Sequence, residues 1–147
     1  MKNLKNLAMW AVVALMLAGL SSCNDEDDES KLSNNRTKFI GTWNLVSYYS
    51  GWYGEEKCNP GEITVTFTWD GDVKVVNKRV DQHPIPTGTY TYSFVDVKSS
   101  IYTGEPGECI SLSFGSLLFS YKFEDNSLYL SAEAFDGPGY ALQKVKQ

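Results

Sequence analysis

From residue 63 onward the chain repeats one pattern, an apolar side chain at every second position, and few architectures accept it. Ile63, Val65, Phe67 and Trp69 alternate with Thr64, Thr66 and Thr68. A backbone with a side-chain period of two puts the first set on one face and the hydroxyls on the other. Asp70-Gly71 is the two-residue turn that accepts positive φ, and Val73 and Val75 restart the alternation behind it, so the segment reads as a hairpin. Tyr90, Tyr92 and Phe94 alternate with Thr89, Thr91 and Ser93, and Ile110, Leu112 and Phe114 alternate with Ser111 and Ser113. Leu117, Phe119, Tyr121 and Phe123 share one face, and Asp125-Asn126-Ser127 turns the chain into Leu128 and Leu130. With an opening strand from Phe39 to Ser50 and a last one from Tyr140 to Val145, this makes eight strands joined mostly by short turns. The expected class is all-β, an antiparallel meander. Strands with a single apolar face are best satisfied by closure into an up-and-down barrel, which hides every edge around one interior.

The N-terminus carries a different signal. Lys2 and Lys5 precede an apolar run of fourteen residues, Leu7 to Leu20, the arrangement of a secretory signal peptide. As a helix this run spans about 21 Å, short of the ~30 Å of hydrocarbon that a permanent span crosses. Leu20-Ser21-Ser22-Cys23 resembles the lipobox of bacterial lipoproteins. That resemblance implies cleavage after residue 22 and a membrane attachment through lipid on Cys23. Five successive carboxylates, Asp25 to Glu29, follow in a self-repelling block that cannot pack into a core. Residues 23–38 therefore read as a tether with a reach of roughly 20 Å. An acidic run directly after the cysteine also resembles the export signal of Bacteroides-type lipoproteins displayed on the outer face of the outer membrane. The expected location is that surface, with the periplasmic face as the alternative.

Residues 39–147 remain as one domain. From Arg36 to Gln147 there are ten Lys and Arg against thirteen Asp and Glu, which argues against a nucleic-acid partner. All nine Tyr, all seven Phe and three of the four Trp fall here, ample mass for one core. With Cys23 committed to lipid, Cys58 and Cys109 are the remaining cysteines, and in an oxidising compartment a disulfide between them is the simplest expectation. It would stabilise by roughly 4 kcal/mol in the chain-entropy model. A metal site lacks support, since His83 is the only histidine and no Cys-x-x-Cys occurs. No cofactor is expected, and the domain reads as a monomer.

Phe39-Ile40-Gly41-Thr42-Trp43-Asn44-Leu45-Val46-Ser47 resembles the Gly-x-Trp opening strand of lipocalin-like proteins, in particular the small lipocalin-like domains of Bacteroides-type lipoproteins. The resemblance extends through the Asp70-Gly71 hairpin, Gly88-Thr89-Tyr90 and the closing strand with Leu142 and Lys144. It implies that Gly41 and Trp43 close one end of the barrel, with Lys144 as the basic residue over the tryptophan. It also implies a small hydrophobic or amphipathic ligand inside, for which Tyr48, Trp52, Tyr53, Tyr90, Tyr92, Phe119 and Tyr121 are the candidate walls. A second lipocalin motif and a helix after the barrel are not found, and the same Gly-x-Trp is compatible with a β-sandwich.

Catalysis finds little footing. His83 stands alone in a proline-bearing turn, Asp81 to Pro86, without a nucleophile or ligand partner, and reads as a surface residue. Glu55, Glu56, Glu105, Glu108 and Asp136 lie beside Gly and Pro and read as solvated loop charge. The stretch least explained by folding is Tyr48 to Gly61, four aromatics among glycines, expected as a loop that either folds back as a lid pinned by Cys58 or contacts a ligand. Two non-enzymatic functions follow: a binding protein that takes its ligand into the barrel, or a cell-surface module that binds glycan or protein through its outer face and loops. An aromatic-walled cavity would favour the first, and a packed interior with Trp52 exposed the second.

Overall fold

A computed structural model describes residues 36–52 and 54–146. The expected signal sequence, Cys23, most of the expected tether and Tyr53 lie outside the described residues. The strands are β1 (Gly41–Ser50), β2 (Gly54–Lys57), β3 (Ile63–Phe67), β4 (Asp72–Asn77), β5 (Gly88–Val97), β6 (Gly107–Leu112), β7 (Leu117–Glu124), β8 (Ser127–Ala132) and β9 (Gly139–Lys144). From β3 to β9 each strand pairs antiparallel with the next, β1 pairs with β3 on one side and with β9 on the other, and the sheet closes. The result is an eight-stranded antiparallel up-and-down barrel with β2 as one extra strand.

The alternation seen in sequence is the pleat. Ile63, Val65, Phe67, Val73, Val75, Ile110, Leu112, Phe119, Leu128, Leu130 and Leu142 are all buried, while the intervening Thr and Ser face outward. Two details depart from the sequence reading. Trp69 is not on the apolar face: β3 ends at Phe67, and Thr68 bonds Asp72 to close the turn, so Trp69 is 71% exposed. The segment after Ser50 is not one long loop, because β2 returns antiparallel along residues 47–50 of β1.

A bulge in β1 sets which tyrosine faces where. Leu45 pairs with Leu142 and Ser47 with Ala141, so Val46 is an extra residue. One inserted residue inverts the faces of everything after it. Tyr48 consequently turns inward and Tyr49 outward.

Both ends of the barrel are filled. At the end where the chain enters, residues 36–39 make one helical turn that seats Phe39, fully buried. Phe67, Phe94, Tyr121 and Phe123 surround its ring edge-to-face at 4.9–5.4 Å, a favoured aromatic geometry. Trp43 Nε1 donates to the Phe39 carbonyl at 2.7 Å, which satisfies the buried indole N–H. At the other end the β4–β5 connection, residues 78–87, folds over the mouth and inserts Ile85 into the core. Buried Asn77 holds it there: its amide donates to the carbonyls of His83 and Ile85, and its side-chain oxygen accepts from Arg79 N. This connection is the lid; the Tyr48 to Gly61 stretch, expected as either a lid pinned by Cys58 or a ligand contact, instead continues β1 and returns as β2.

Candidate functional site

Gly41, Trp43 and Lys144 come together at the closed end. Trp43 and Lys144 are register partners, and the ammonium stands 4.9 Å from the indole centroid, within cation–π range. Gly41 has φ +121°, a left-handed backbone that favours glycine at that position.

Of the expected ligand walls, Tyr90, Tyr92, Phe119 and Tyr121 have partners inside the fold, whereas Trp52 is exposed on its loop and Tyr53 lies outside the described residues. Tyr90 donates to the Pro86 carbonyl at 2.9 Å and packs against Phe114. Tyr92 donates to the Thr68 carbonyl at 2.7 Å, and burial pushes its phenol up from the ordinary value. Tyr121 donates to Glu108 at 2.5 Å, and fully buried Phe119 packs against Tyr140. Satisfied hydroxyls and edge-packed rings are the signature of core rather than of a vacant wall.

Tyr48 is buried and belongs to a polar cluster under the lid. Its hydroxyl donates to Glu56 at 2.5 Å, and since it has one proton, His83 Nδ1–H donates to it at 2.8 Å. Arg79 pairs with the other Glu56 oxygen at 2.5 Å. Burial and the bond to Glu56 push the Tyr48 phenol up to about 12. The Tyr48 hydroxyl and then Arg79 hold the Glu56 carboxyl below its usual range. Among the described residues no strand pairs with the far side of β2, and this cluster ties it to the β4–β5 connection instead. His83 is exposed, as the sequence reading had it, yet it serves as a latch.

The two remaining cysteines are free, so the expected bridge is not formed. Cys58 sits in the interior cluster. Cys109 lies between Glu108 and Ile110 on β6, and because Ile110 and Leu112 face inward, its side chain leaves by the outer face. There the segment 98–106 is tied to the end of β8 through Ser100 and Ile101 to Glu133, both 2.7 Å, and Tyr102 to the Ala132 carbonyl at 2.8 Å. Burial raises both thiols. A barrel wall separates their sulfurs, and a disulfide needs Cβ atoms ~4 Å apart and facing each other.

What the sequence reading missed lies on the outside. A groove of about 290 Å³ runs over β9, lined by Ser47, Tyr49, Glu55, Tyr129, Ser131 and the β9 backbone. Its floor is Gly139 and Ala141, the outward positions of β9, and its walls are Tyr49 on β1 and Tyr129 on β8, 49% and 41% exposed. A second outer groove of about 420 Å³ on β5 and β6 is rimmed by Thr91, Ser93, Ser111, Ser113 and Ser116, with no exposed ring. At the lidded end, Trp52 and Phe135 are 90% and 93% exposed. Their loops adjoin, since a Cβ on Gly51 would fall 2.7 Å from Asp136 Cβ. The signal for the groove was an aromatic, Tyr129, at an outward strand position beside small Gly139 and Ala141; the bulge that turns Tyr49 outward leaves none.

No family model matches the chain, and no curated protein matches it. Among solved structures, a DUF4847 family protein from Bacteroides vulgatus is similar at 17% identity and a TM-score of 0.43, over 76% of this chain and 97% of that one.

Proposed function

We propose that this chain is a lipid-anchored, non-catalytic binding module outside the cytoplasm, whose partner engages the outer wall and the lidded rim rather than the barrel interior. The carrying observation is that both barrel ends are filled, by Phe39 and by Ile85, while Trp52 and Phe135 stand almost wholly in solvent on adjoining loops. Large exposed aromatics grouped at one end of a small domain are costly unless something covers them. They lie at the end of the barrel opposite Phe39. The lipobox at Cys23 supplies the anchor, and the acidic run supports display on the outer surface.

The test is retention of the detergent-extracted full chain on immobilised polysaccharides and glycoproteins. Trp52→Ala with Phe135→Ala should weaken retention about tenfold or more with little change in melting temperature. Unchanged retention, together with a small apolar molecule recovered from the unfolded protein, would return the function to the interior.

A further inference from the structure

Resting on that reading, we infer that the groove over β9 is a saccharide subsite for a neutral pyranose unit of a glycan. The lining is what such a ring needs. A pyranose presents one face of C–H bonds, which stacks on an aromatic ring, and an equator of hydroxyls, which needs donors and acceptors. Tyr49 and Tyr129 stand on either side of β9, roughly two strand spacings or ~10 Å apart across the sheet, offset by two residues along it. The side chains between them are small, none at Gly139 and a methyl at Ala141, so a flat ring can descend against either tyrosine. Ser47 and Ser131 supply hydroxyls and Glu55 a carboxylate acceptor.

The same lining selects among ligands. Among the described residues Glu55 is the one charged side chain lining the groove and no cation lines it, so phosphorylated or uronic units are disfavoured by charge. A purely aliphatic ligand would desolvate Glu55, Ser47 and Ser131 without replacing their water. The volume lies at the lower end of small-molecule sites, ~300–1,000 Å³, which fits one or two rings rather than a long chain segment.

Glycine at 139 gives a test that does not disturb the fold. Its φ lies outside the left-handed region and an added Cβ meets only the Leu130 carbonyl at 3.5 Å, an ordinary contact. Gly139→Val therefore suits the strand and fills the groove floor. The full chain in detergent is titrated by calorimetry with neutral cello-, malto- and manno-oligosaccharides and with an acidic oligogalacturonate, alongside Tyr129→Ala, Gly139→Val and Trp69→Ala. Expected is binding of at least one neutral series. Tyr129→Ala and Gly139→Val should each weaken it about tenfold or more, about 1.4 kcal/mol, and Trp69→Ala should leave it unchanged. Binding of the acidic chain alone, no binding of any neutral series, or neutral binding that survives Gly139→Val would overturn the subsite. If the subsite fails while the Trp52 and Phe135 variants still lose retention, the binding-module reading stands and only its ligand class is wrong.

Discussion

Phe39→Ala should be among the most damaging single substitutions in this domain. Phe39 is fully buried, four rings meet it edge-to-face, and its carbonyl accepts the Trp43 indole proton. Removing a buried phenyl ring costs ~3–5 kcal/mol, as lost transfer free energy plus the cavity left behind. The site should fall near the upper end, because its neighbours are held by sheet hydrogen bonds and cannot collapse inward. For a domain of this size ~4 kcal/mol lowers the melting temperature by roughly 15–25 °C. Phe39→Leu keeps most of the volume and should cost on the order of 1 kcal/mol. The assay is urea denaturation of the full chain followed by Trp43 fluorescence, since that indole sits against the altered site. Alanine no worse than leucine, or both within 0.5 kcal/mol of the native chain on the ordinary surface scale, would refute the plug.

Other outcomes follow from the same geometry. Tyr48 and Tyr140 are both pushed up to about 12, the second by burial, so the folded state keeps protons that the unfolded chain gives up near 10. The contribution of these tyrosines should be level below pH 10 and fall as pH rises toward 12, with Tyr48→Phe reducing the slope in an alkaline melt read by phenolate absorbance. Mass analysis after alkylation should find Cys58 and Cys109 unmodified in the native protein and both alkylated once unfolded, without reductant; a bridged pair would contradict the free thiols. Cys23→Ser should shift the protein from the detergent phase to the aqueous phase, and a native form already in the aqueous phase would remove the anchor.

The barrel was legible because its cause is local: strands with one apolar face must bury it, and a chain of eight joined by tight turns has closure as its simplest solution. The closed end was legible only through the lipocalin-like resemblance, which implied Gly41, Trp43 and Lys144 there. The other end was not. Ile85 sits between two prolines in a stretch that reads as an exposed turn, and only Asn77, itself an inconspicuous strand residue, turns that stretch into a lid. β2 was hidden because Glu55-Glu56-Lys57 has no apolar alternation; it is a strand because β1 pairs with it and because Glu56 is bound by Tyr48 and Arg79. The cysteine count gave a pair but not the faces of the wall. The Val46 bulge shifted the site, exchanging Tyr49 for Tyr48 on the outside, and a bulge is a property of pairing that no residue type announces.

The central claim is that this barrel is filled and binds on its outside. Native mass spectrometry of the protein extracted gently from its own cells tests it most directly. The expected spectrum is that of the processed, lipidated chain with no stoichiometric small apolar molecule, unchanged in composition when the protein is unfolded. A one-to-one apolar adduct that leaves only on unfolding would place the ligand inside the barrel and contradict the claim.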